Sequence, residues 1–105
     1  MATTTSTTST DIGTLISKSP EMKSGRPVVA GTGVMVMRIA GWYRQGLSAE
    51  AIAQEIPHLT LAQVYAALTY YHANKAEIEA QISEEMELYD KYSKEYEQKL
   101  TEERA

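Results

Sequence analysis

The sequence predicts a mainly α fold: a three-helix, helix-turn-helix core, preceded by short β-strands and followed by a long C-terminal amphipathic helix. Three observations carry this. Gly46 can take the positive φ that closes a helix, and Ser48 then caps a new one with Glu50 in its first turn. Ala49, Ile52, Ala53 and Ile56 recur at the spacing of one apolar helical face, after which Pro57 stops the helix and Thr60 caps the next. From Ile78 to Leu100 an apolar and aromatic seam continues at steps of three and four residues.

The 105 residues suit one domain divided as a disordered tail at 1–10, a strand pair with the three-helix core at 11–74, and an acidic helix at 75–105. Hydrophobic residues make up 43%, enough for a small core. The absence of cysteine rules out disulfides and thiolate metal sites and fits a cytoplasmic setting. No apolar run is long enough to span a membrane, and the Thr/Ser-rich N-terminus is not a secretory signal. The net charge is −4, unhelpful for holding nucleic acid, but it is unevenly placed. Residues 75–105 carry ten acids against five bases, so residues 1–74 are near neutral.

Taken in order, Met1–Thr10 is low-complexity and has nothing to bury. Ile12–Ile16 reads as a short strand, Met22–Pro27 as a turn-rich loop and Val28–Ala30 as a second strand. Runs this short must pack on the helices or pair with another chain. Gly31-Thr32-Gly33 precedes a helix, which admits a phosphate loop. The missing third glycine and the lack of a following Lys-Ser/Thr pair favour a structural turn.

Val34 to Gln45 is the expected first helix, with Val36, Ile39, Ala40 and Tyr43 on one stripe. Met35, Met37 and Trp42 make it apolar nearly all round, as in a helix at the centre of a fold or at an interface. Arg38 is either a solvated cation or a phosphate contact. Gly41 in mid-helix is a candidate point of close helix packing. The helix from Leu61 to about Asn74 buries Leu61, Val64, Leu68 and Tyr71. Its start is where a recognition helix meets base edges, and glutamine pairs with adenine there. The candidate base contacts are Gln63, Tyr65 and Ala66, and the candidate phosphate contacts are Lys23, Arg26, Arg38 and Arg44. Against this, the helix has no arginine, and its nearest lysine, Lys75, lies beyond its far end, so a plain packing helix is the competing reading.

Beyond Lys75, Ile78, Ile82, Met86, Tyr89, Tyr92 and Tyr96 form the candidate partner-binding seam, with Glu87–Lys91, Asp90–Lys94 and Glu95–Lys99 in the favourable i,i+4 order. The seam calls for its own domain, a second copy or a different protein. His58 and His72 have no metal-ligand spacing, and no nucleophile constellation is visible. Neither a metal, a cofactor nor an enzyme is expected.

Gly25-Arg26-Pro27-Val28-Val29-Ala30-Gly31-Thr32-Gly33, Gly46-Leu47-Ser48-Ala49-Glu50-Ala51-Ile52, Pro57-His58-Leu59-Thr60 and Val64–Tyr71 resemble the domain-of-unknown-function family 433. That family is similar to homeodomain-like helix-turn-helix proteins, and some members are regarded as VapB-type antitoxins encoded beside a PIN-domain-like ribonuclease toxin. The resemblance implies DNA binding, dimerisation through the N-terminal strands, and neutralisation of a toxin by the C-terminal helix. One departure stands out: the family usually has arginine where this chain has Gly33. The resulting expectation is a DNA-binding protein of antitoxin or transcriptional-regulator type, at least dimeric, with DNA and a toxin as partners. The alternative is a protein-interaction module that keeps the helix-turn-helix fold without binding DNA.

Overall fold

In the computed structural model, residues 9–21 and 23–104 are described. All but the last two residues of the expected disordered tail lie outside them. A 3-10 turn at Ile12–Leu15 leads into β1 (Ile16–Ser17), a turn at Lys23–Gly25 and β2 (Val28–Val29). Four helices follow: α1 (Val36–Arg44), α2 (Ala49–Glu55), α3 (Leu61–Ala73) and α4 (Lys75–Arg104). The fold is therefore mainly helical, with a small N-terminal sheet and a long C-terminal helix.

The first expected strand is corrected. Only Ile16 and Ser17 are extended, while Ile12–Leu15 coils. Asp11 is the cause. Its Oδ1 accepts from Gly13 N at 3.0 Å, and its carbonyl accepts from Thr14 N at 2.9 Å and Thr14 Oγ1 at 2.6 Å. Such local bonds offer the backbone an alternative to a sheet ladder. β1 pairs antiparallel with β2, Ile16 opposite Val29 and Ser17 opposite Val28. Gly31 and Gly33 both have positive φ, +77° and +75°. Thr32 Oγ1 donates to the Val29 carbonyl at 2.8 Å and accepts from Val34 N at 3.0 Å. The glycine pair is thus the tip of a turn that returns Val34 to Val29, through an N–H···O bond of 2.8 Å. An arginine at position 33 would meet the left-handed backbone that glycine takes freely.

α1 is the central helix and packs on α2, α3 and α4. Val36, Ile39 and Ala40 are fully buried and Met37 nearly so, whereas Tyr43, expected on the same stripe, is exposed. A Cβ at Gly41 would meet nothing within 4 Å, so this glycine does not serve close helix packing. The Gly46 turn has φ +103°. Ser48 Oγ accepts from Ala51 N at 3.1 Å and caps α2, which buries Ala49 and Ile52. The helix stops before Ile56 and Pro57. Thr60 and Gln63 then form a reciprocal capping box at the start of α3. Val64, Ala67, Leu68 and Tyr71 face the core, while Leu61 stays partly exposed.

α3 and α4 meet at Asn74, whose φ −136° and ψ 47° break the helix. Asn74 Nδ2 donates to the Tyr70 carbonyl at 3.1 Å. Two tyrosines at the end of α3 reach the first turns of α4: Tyr70 Oη donates to Glu77 at 2.9 Å and Tyr71 Oη to Glu79 at 2.8 Å. Ile78 and Ile82 close the core.

Candidate functional site

The outward face of α3 is the surface on which the base-contact reading depends. The N-terminal segment runs beside it: Ile12, Gly13 and Leu15–Lys18 on one side, and Ala62, Tyr65, Ala66, Thr69, Tyr70 and Ala73 of α3 on the other, line a groove of about 690 Å³. Ala62, Ala66, Thr69 and Ala73 step by 4, 3 and 4 residues, which places small side chains in a line along one helical face. The lining is chiefly apolar. One end of the groove carries Tyr70, Lys18 and Asn74.

Each base-contact candidate is engaged within the chain. Gln63 Oε1 accepts from Thr60 N at 2.8 Å, while Gln63 N donates to Thr60 Oγ1 at 3.1 Å. Tyr65 Oη donates to Glu50 of α2 at 3.3 Å. Ala66 is half-buried in the groove wall. The phosphate-contact candidates are scattered. Arg26 is partly buried, donates to Met37 Sδ at 3.3 Å, and approaches Glu84 and Glu85 of α4 at 3.5 and 3.6 Å. Arg38 lies over the Trp42 ring at 5.2 Å. Lys23 sits in a left-handed turn with φ 52°, and Arg44 ends α1; both are exposed.

At the polar end of the groove, Glu77 accepts from Lys18 Nζ at 3.2 Å as well as from Tyr70. Burial raises the Tyr70 phenol above its ordinary 10.0, and the Glu77 hydrogen bond adds to the rise. Lys18's own hydrogen bond to Glu77, followed by the nearby Tyr70 and Glu77 charges, raises it above 10.5. Tyr71 is raised first by burial and then by Glu79. Glu77 therefore ties Lys18, just after β1, to α3 and α4 at one point. None of these shifts brings a group into the range of neutral-pH acid–base chemistry.

The partner-binding seam is divided by the structure. Ile78 and Ile82 are in the intrachain core and are not available to a partner, which corrects that part of the expectation. Packing against α1 takes them up, because the seam's first two turns lie over the core. Met86, Tyr89, Tyr92 and Tyr96 are 63–75% exposed, on the stretch of α4 that extends past it. Where α4 leaves the core, Met37, Arg38, Gly41, Trp42, Ile82, Met86 and Tyr89 line a second groove of about 370 Å³. A strand at Ile12–Ile16 would give no groove beside α3; the groove exists because Ile12–Leu15 coils instead. The line of small residues at 62, 66, 69 and 73 was the signal that could have found it.

The family model described as "Protein of unknown function (DUF433)" matches residues 16–71, more than half of the chain. The chain belongs to the DUF433 family. The match begins at β1 and ends at Tyr71, so α4 lies outside the matched residues. Among solved structures, a DUF433 member protein from Anabaena variabilis is similar in fold, with a TM-score of 0.62 and 24% identity over 67% of this chain and 69% of that one. No curated protein matches the chain. No helix among the described residues is long and apolar enough to cross a membrane.

Proposed function

We propose that this DUF433 chain is a protein-interaction module on a helix-turn-helix frame, whose groove beside α3 receives an apolar segment of another polypeptide. One observation carries the reading: the face of α3 that a DNA reader would insert into the major groove is an apolar trough beside Ile12, Leu15 and Ile16. Its volume of about 690 Å³ is that of a real binding cleft. Its floor of alanines lets a second backbone approach closely. DNA binding of antitoxin type has less support, because α3 offers no cation and Gln63 spends its side chain on a helix cap. The antitoxin setting implied by the family resemblance accommodates the interaction reading, since covering a partner protein requires no DNA contact.

Two measurements test this. A shift assay with the protein's own upstream DNA should show no sequence-specific retention, even at about 50 mM salt where phosphate contacts are strongest. Specific retention with a steep salt dependence would overturn the proposal. The protein encoded beside this one should be captured by the wild-type chain and lost on Ala66→Glu, which places a charge on the groove floor. Capture that is indifferent to Ala66→Glu would place the interaction elsewhere.

A further inference from the structure

We infer that the exposed stretch of α4 pairs antiparallel with the α4 of a second copy, about a two-fold axis at Tyr92. The proposal goes beyond the reading of the α3 groove and rests on other residues, so either can fail alone.

The face of α4 that buries Ile78 and Ile82 against the core does not end there. On a helix of 100° per residue, Met86, Tyr89, Tyr92 and Tyr96 continue within the same stripe. They are 66, 75, 63 and 65% exposed, so the stripe loses its cover while remaining aromatic. An unpaired aromatic stripe continuing from a packed one calls for another helix alongside it.

Charge selects the occupant and its direction. Residues 84–90 hold four acids and no base, whereas residues 91–99 hold three lysines and two acids. A parallel pair would set acid on acid along the first block. An antiparallel pair centred on Tyr92 brings Lys99 of one copy to Glu85 of the other, twice by symmetry, because both lie seven residues from Tyr92 and so on its face of the helix. Tyr89 of each copy then lies beside Tyr96 of the other. The lysines are free for this. Among the described residues the ion pairs are Lys18–Glu77 and those of Arg26 with Glu84 and Glu85, so the i,i+4 pairs expected along α4 are not closed. Glu85 is half exposed and keeps a face for Lys99 beside its 3.6 Å contact with Arg26.

The area is adequate. Three tyrosines at roughly 150 Å² each, with Met86, cover about 500–600 Å² per copy and roughly 1,000–1,200 Å² in all, the lower end of specific interfaces. An overlap from residue 85 to 99 spans about 21 Å. A reversible dimer of micromolar affinity is expected from contacts of this size.

Sedimentation equilibrium on the full chain across a concentration series decides it. The mass should rise from 11.7 kDa towards twice that value. Tyr92→Glu should remain monomeric with unchanged helical circular dichroism. Lys99→Glu should weaken pairing about tenfold through its two symmetric contacts, and Glu85→Lys with Lys99→Glu should restore it. Orientation follows from cross-linking, since the chain has no native cysteine. Glu85→Cys chains mixed with Lys99→Cys chains should join by a short bis-maleimide into the unlike-chain product. A monomer at the highest soluble concentration overturns the proposal, as does a dimer untouched by Tyr92→Glu or cross-linking only between like chains. Recovery of α4 solely in complex with a basic protein, with no self-pairing, overturns it equally.

Discussion

Gln63 is claimed by two incompatible roles, and removing it separates them. Its carboxamide oxygen accepts from Thr60 N at 2.8 Å, closing one half of the capping box; Thr60 Oγ1 accepts from Gln63 N at 3.1 Å and closes the other. Thr60→Ala removes an N-cap and should cost about 1 kcal/mol. Gln63→Ala leaves that bond in place, because it uses the backbone, and frees an exposed N–H to water. Its cost should be about 0.5–1 kcal/mol. The two residues bond each other, so the double variant should lose less than the sum of the singles, about 1–1.5 kcal/mol. For a domain of this size each kcal/mol lowers Tm by about 4–8 °C. Trp42 is the only tryptophan and packs against the core, which makes its fluorescence a direct reporter in thermal or urea unfolding. Two single variants within about 0.3 kcal/mol of wild type would refute the capping argument. A Gln63→Ala chain of full stability that loses sequence-specific DNA retention would return Gln63 to a base-reading role.

Other expectations follow from the same physics. Ile39 has no exposed surface, so Ile39→Ala should cost about 2–5 kcal/mol, a large share of a small domain's stability, visible as a lower urea midpoint. Gly46→Ala and Gly41→Ala should act in opposite directions in thermal melts. At φ +103° the new Cβ of the first strains the backbone by about 1–2 kcal/mol, while in the open helical position of the second it gains about 0.5–1 kcal/mol. Stability should also fall in alkali. Tyr70 and Tyr71 are raised above 10.0 and Lys18 above 10.5, so each contributes stability that is complete below its ordinary value and lost as pH climbs through its folded-state value. Urea midpoints taken at rising pH should drop through that window, and Tyr70→Phe should flatten the drop. A wild-type midpoint constant across the window would contradict the Glu77 and Glu79 contacts.

The elements legible in the sequence were those set by local chemistry. Gly46, Ser48 and Thr60 act within a few residues of themselves, and their turn and caps stand where their side chains dictate. The apolar periodicity of α1 and α3 was legible for the same reason. Ile12–Leu15 was not, because β-branched residues and a strand-like run conceal the bonds that Asp11 makes with Gly13 and Thr14. The candidate site was less legible than the fold. Arg26 is an exposed loop cation by sequence, yet in space it meets Glu84 and Glu85, nearly sixty residues away. Periodicity placed Ile78, Ile82 and Met86 on one seam but could not locate the end of the core, which lies between Ile82 and Met86.

The position of that end bears on how the chain divides its work. The family match stops at Tyr71, and Tyr71 is also where the core hands over to α4 through Glu79. The matched part therefore contains most of the α3 wall of the groove, while Ile12, Gly13 and Leu15 of the opposite wall precede it and the exposed tyrosines of α4 follow it. The two surfaces differ in chemistry: the groove offers small aliphatic side chains, and the helix offers aromatic rings between charges. A surface of the first kind accepts a backbone closely, whereas one of the second kind meets a helix whose charges run in the opposite order. Glu77 holds the two at a fixed angle by joining Lys18 at the groove's edge to the first turn of α4. Removing that carboxylate should loosen the elbow and release Lys18 and Tyr70 at the groove's polar end, while the exposed tyrosines of α4 keep their environment. Glu77→Ala should accordingly speed amide exchange around Asn74 while Ile39 and Val64 in the core stay protected, whereas unchanged exchange at the elbow would show that burial of Ile78 alone fixes α4.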